Sequence, residues 1–112
     1  MGWFDIGGLD DLQPNSGICA LVDGLQVAIF YLPEEGAVYA INNFDPFGKA
    51  NVLSRGLIGD LNGQVMVASP LYKQHFNLIT GVCLEDAKMS VPAYAIRIIN
   101  GRVEVNTQLA PE

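Results

Sequence analysis

Soft metal ligands are scarce in this sequence: two cysteines and one histidine stand among 112 residues. Cys19 and Cys83 lie far apart in the chain, and neither has a cysteine or histidine partner at metal-ligand spacing. Positive charge is scarce as well. Six lysine and arginine residues face twelve aspartate and glutamate residues, for a net charge of -6 and a pI near 4.5. A phosphate backbone needs a basic face, so nucleic acid is excluded as a partner, and adsorption to anionic lipid is disfavoured for the same reason. Long apolar runs are absent: the longest are "ICALV" and "VAIFYL", far short of the roughly 20 residues that span a bilayer. The opening "MGWFDIGGLDDL" has neither the basic nor the apolar region of a signal peptide. Ile6 stands where myristoylation requires serine or threonine. These absences predict a soluble, cytoplasmic chain with no membrane partner. Helical periodicity is missing too, with "KANVLSRG" as the one candidate for a turn or two, ending at Gly56 as its cap.

What is present is strand and turn chemistry. Half of the residues are hydrophobic, and a domain of this length buries about two-thirds of its extended surface. Residues 1–112 are therefore expected to form one domain with an ordinary core. Runs rich in β-branched and aromatic residues alternate with turn signals. Asp23-Gly24 separates "GICALV" from "LQVAIFYL", and Asn100-Gly101 separates "AYAIRII" from "RVEV"; both pairs favour two-residue hairpins. "PEEG" and "DLNG" mark further turns before "AVYAIN" and "QVMVA", and Thr80-Gly81 another before "VCL". The pattern predicts an all-β fold, a small antiparallel sandwich or barrel. Cys19, inside "ICALV", reads as a packed and reduced core thiol. A reducing compartment disfavours a Cys19–Cys83 disulfide.

Two segments lack strand pattern: "NFDPFGKANVLSRG" (Asn43 to Gly56) and "SPLYKQH" (Ser69 to His75). Loops of this size in a compact β domain are where function concentrates. They hold Lys49, Arg55, Lys73 and the lone His75, with Asp45 as their one acid. Pro46 and Pro70 restrict the residue before them and so shape both loops.

At these loops the sequence resembles the Rieske ferredoxin family. That family's second loop reads Cys-Pro-x-His, then Phe-Asp-Leu and Thr-Gly; here Ser69-Pro70-Leu71-Tyr72 precedes Phe76-Asn77-Leu78 and Thr80-Gly81. Its first loop reads Cys-x-His, then Leu-Ser-x-Gly; here Asn43-Phe44-Asp45 precedes Leu53-Ser54-Arg55-Gly56. The resemblance implies a Rieske-type fold with the two loops together at one end. It places the cluster-ligand positions at Asn43, Asp45, Ser69 and Tyr72. A Rieske cluster takes thiolate on one iron and imidazole on the other, and an amide, a carboxylate, a hydroxyl and a phenol supply neither. The resemblance therefore implies a degenerate site with no metal in this chain. Phe44, Phe47, Leu53, Phe76 and Tyr72 are expected to fill the space, Tyr72 with its hydroxyl bonded to backbone.

A narrower likeness rests on "DPFGKANVLSRG", "ASPLYKQHF" and "SVPAYAIR" with "GRVEV". These segments are similar to the small-subunit family of assimilatory NAD(P)H-dependent nitrite reductases. That resemblance implies a large-subunit partner carrying FAD, an iron–sulfur cluster and sirohaem, which reduces nitrite to ammonia. This chain would then support the reaction without a redox cofactor or a catalytic residue of its own. Phe47, Lys49, Arg55, Tyr72, Lys73 and His75 would bind the large subunit. A second reading is a Rieske-like interaction module with another redox partner. A third is an independent enzyme or metal site built from Asp45, Tyr72, Lys73 and His75, although one histidine and one aspartate fall short of a zinc site.

Overall fold

The computed structural model describes residues 2–111. Among them every strand pairs antiparallel, apart from one isolated parallel bridge between Pro14 and Tyr31, and the only helical turns are short 3-10 segments. Six strands form the main sheet, in spatial order β1 (Phe4–Gly8), β11 (Arg102–Asn106), β10 (Ala93–Ile99), β4 (Ala37–Asn42), β3 (Leu25–Leu32) and β2 (Ser16–Val22). The edge strands β1 and β2 come into contact, so the sheet nearly closes into a barrel. A smaller sheet joins β7 (Leu57–Leu61), β8 (Gln64–Ala68) and β9 (His75–Asn77).

The turn residues act as their chemistry predicts. Val22 pairs with Leu25, Leu61 with Gln64, and Ile99 with Arg102. The two residues between each pair, Asp23-Gly24, Asn62-Gly63 and Asn100-Gly101, all have positive φ. That is the type I′ geometry whose twist matches the strands it joins.

Strand β3 explains the longest apolar run. Val27 and Ile29 point into the barrel with Leu12, Val22, Ala40, Tyr94, Val103 and Val105. Ala28, Phe30 and Leu32 point the other way, against Ile41, Leu53, Val67, Phe76, Leu78 and Cys83 beneath the smaller sheet. A strand buried on both faces has no polar alternation to show. Fully buried side chains such as Phe30, Phe76 and Ile41 each stabilise the fold by about 1.5–3 kcal/mol.

Several expectations are corrected. Cys19 is exposed and Cys83 is buried, both as free thiols. β2 is an edge strand whose Ile18, Ala20 and Val22 face the barrel, which leaves Cys19 and Leu21 on the outside. The stretch read as a helix gives one 3-10 turn, Leu53–Arg55. Gly56 does follow it, but with extended φ of -76 rather than a left-handed cap. A Cβ there would lie 2.3 Å from the carbonyl oxygen of Ala68, so close approach is what requires glycine.

Candidate functional site

The two irregular segments meet, one leaving β4 and the other leaving β8. The first carries its own small hairpin, β5 (Phe44–Asp45) and β6 (Ala50–Asn51). Their junction is a hydrogen bond between two wholly buried side chains: the Ser69 hydroxyl donates to Oδ2 of Asp45. The other oxygen of Asp45 accepts from the backbone N–H groups of Phe47 (2.8 Å) and Gly48 (3.2 Å). Ser69 Oγ in turn accepts from the N–H of Leu71 at 3.2 Å. Among the described residues three donors and no cation hold the Asp45 carboxyl, which satisfies a group that would be costly to bury unpaired. A Cβ on Gly48 would lie 2.2 Å from Cδ1 of Leu71, so the loops also pack in van der Waals contact.

Asn43 is 1% exposed. Its Oδ1 accepts from the N–H of Ser54 at 2.7 Å, and its Nδ2 reaches Gln26 Oε1 at 3.3 Å and Cys19 Sγ at 3.5 Å. The side chain thus pins the first loop at both ends. Tyr72 stands apart. It is 65% exposed, and among the described residues its hydroxyl has no hydrogen-bond partner, so it does not plug the junction. Phe44 is likewise on the surface, at 39% exposure. Leu53 and Phe76 do fill the interior, and Phe47 leans on Phe76 with ring centroids 6.3 Å apart.

Lys49, Arg55 and Lys73 are exposed, and none makes an ion pair among the described residues. His75 differs. It opens β9, its N–H donates to Glu85 Oε1 at 2.8 Å, and its Nδ1 lies 2.5 Å from Oε2. Burial works to raise the Glu85 carboxyl, but the backbone N–H and ring of His75 outweigh it and hold the group below its ordinary value. His75 is therefore faced by an adjacent acid, Glu85, which lies outside both loops. Asp45, Tyr72, Lys73 and His75 share no hydrogen bond or ion pair. Among the described residues no three histidine, cysteine, aspartate or glutamate side chains gather as a metal site would need. The independent-site reading thus loses its constellation. Leu71 is the residue that sequence reasoning missed: 44% exposed, it stands beside Tyr72 and seals the loop contact. A separate groove of about 680 Å³ is lined by Trp3, Tyr39, Tyr94, Arg97 and Leu109, with Arg97 stacked 3.9 Å from the Trp3 ring.

Residues 2–106 match the Rieske-like [2Fe-2S] domain family. The nitrite reductase (NADH) small subunit of Salmonella typhimurium is 48% identical over 92% of this chain and 95% of its own. The NMR structure of the E. coli protein NirD is 47% identical, with a TM-score of 0.85, and covers 93% of this chain and 94% of its own. A nitrite reductase [NAD(P)H] large subunit from Klebsiella oxytoca matches 95% of this chain at 40% identity, within a segment that is 11% of that longer protein. The chain belongs to the Rieske-like domain family, in its branch of nitrite reductase small subunits.

Proposed function

We propose that this chain, as one Rieske-like unit, is the small subunit of an assimilatory NAD(P)H-dependent nitrite reductase, and that it holds no redox cofactor. In this reading it acts in the cytoplasm, where NAD(P)H is available, on a large subunit carrying FAD, an iron–sulfur cluster and sirohaem. The carrying observation is the Asp45–Ser69 hydrogen bond. It occupies the point where the two loops meet, and it joins two of the four positions at which the family resemblance puts ligands. The donor set does not fit a two-iron cluster. Neither thiolate nor imidazole is present, three of the four side chains are already bonded to the protein, and the fourth points to solvent.

The chemistry then belongs to the partner. Multi-electron reduction of nitrite requires redox cofactors, and a chain without them contributes binding and orientation. The Klebsiella protein supports the pairing, since a related domain there lies within a large-subunit polypeptide. Phe47, Lys49, Arg55, Tyr72, Lys73 and His75 are the residues we place at the contact. Leu71 and Tyr72 form its apolar centre, with Phe47 half-buried behind them.

Iron and acid-labile sulfide analysis of the native chain, with nitrite-consumption assays with and without the large subunit, tests the proposal. The isolated chain is expected to be colourless, iron-free and inactive. NAD(P)H-dependent nitrite consumption is expected only with the large subunit present. Stoichiometric iron and sulfide, or nitrite consumption by the isolated chain, would contradict it.

A further inference from the structure

The two loops are built on the same five-residue turn. Asp45-Pro46-Phe47-Gly48-Lys49 closes with the N–H of Lys49 donating to the carbonyl of Asp45 at 2.7 Å. Ser69-Pro70-Leu71-Tyr72-Lys73 closes with the N–H of Lys73 donating to the carbonyl of Ser69 at 3.2 Å. In each, the first side chain accepts from the N–H two residues on, a proline follows, and the fifth residue is lysine. The first residues of the two turns are hydrogen-bonded to each other. Each lysine is therefore one backbone hydrogen bond from the same buried junction, and the two flank it as a matched pair.

The backbone at these lysines is unusual. Among the described residues six that are not glycine have positive φ: Asn15, Asp23, Lys49, Asn62, Lys73 and Asn100. Four are asparagine or aspartate, whose short polar side chains tolerate the left-handed region. The exceptions are Lys49 (φ 56) and Lys73 (φ 66). Glycine or asparagine would hold either turn with less strain, so the fold does not ask for lysine at either place. What lysine adds is an ammonium group. Both side chains are exposed and lack an ion-pair partner among the described residues, whereas Arg97 and Arg102 are each paired with an acid.

We infer that Lys49 and Lys73 are twin cationic contacts that seat on carboxylates of an acidic surface of the large subunit. The inference rests on the proposed docking of the loops and adds to it the two residues that set orientation and the chemistry they meet. The chain has a net charge of -6, so an acidic partner surface repels most of its faces and accepts the one that carries this pair. Such complementarity acts chiefly on encounter and register.

The test measures association of the full-length chain with the large subunit across ionic strength. Lys49→Gly/Lys73→Gly keeps both turns and removes both charges. It should associate about tenfold or more slowly at low salt, with a flatter salt dependence, and with no fall in melting temperature. Lys49→Asn/Lys73→Asn should behave alike, which guards against a glycine-specific effect on folding. Lys49→Arg/Lys73→Arg should retain most of the wild-type rate. Lys88→Gln, outside both loops, should slow association far less than Lys49→Gly alone or Lys73→Gly alone. Wild-type rate and salt slope in the double glycine variant would overturn the inference while leaving the proposed assembly intact. An equal loss in Lys88→Gln would overturn it too, by assigning the effect to net charge. Failure of the wild-type chain to bind at all would remove the proposed assembly, and this inference with it.

Discussion

Asp45 and Ser69 decide whether the two loops stay together. Removing the Ser69 hydroxyl leaves Oδ2 of Asp45 and the N–H of Leu71 without their partner. Stranding buried polar groups costs about 1–3 kcal/mol. Ser69→Ala is therefore expected to lower the urea midpoint by a corresponding amount without changing the slope, and an unchanged midpoint would deny the junction its structural role. Glu85 gives a pH-dependent counterpart. Despite the opposing effect of burial, His75 holds its carboxyl below the ordinary glutamate value of 4.5. A depressed carboxylate stabilises the fold above that value, and the contribution fades as pH falls through the lower, folded value. Stability measured against pH should thus drop less steeply below about pH 4.5 in Glu85→Gln than in the wild type. Parallel acid limbs would show that the His75–Glu85 contact contributes nothing.

At the scale of elements, the sequence made the hairpins legible because their turns depend on two residues each. Asp23-Gly24 and Asn100-Gly101 need no distant partner to be recognised. Strand β7 was not legible: its "LIGDL" is almost wholly exposed, so neither alternation nor a buried run marks it, and it forms by pairing with β8. Cys19 was misplaced because "ICALV" does not reveal that its strand lies at a sheet edge. The loops were found by their lack of pattern and their motif residues. The Asp45–Ser69 bond could not be, because it joins residues 24 apart in sequence. Tertiary contact also decides which turns tolerate change. Gly63 (φ +80) has open space around it, while a Cβ on Gly81 (φ +77) would lie 2.0 Å from the carbonyl oxygen of Val91. Gly63→Ala should cost about 1–2 kcal/mol from backbone strain alone. Gly81→Ala adds the clash, roughly 1–3 kcal/mol more. Equal thermal shifts in the two variants would contradict this packing of the Thr80-Gly81 turn against the segment before β10.

For the whole molecule, two regions compare as docking surfaces. The loop end offers Leu71, Tyr72, Lys49 and Lys73. The other region is the groove beside Trp3, where Arg97 is already occupied by the indole ring and by Glu104. The first region has unpaired cations and the second does not, so the account places the large subunit on the loops. Hydrogen exchange of the chain, alone and bound to the large subunit, separates the two most directly. Slowed exchange in residues 43–56 and 69–75 on binding, with little change around Trp3, Arg97 and Leu109, is the predicted result. Protection confined to the Trp3 groove, with both loops exchanging as in the free chain, would contradict the account.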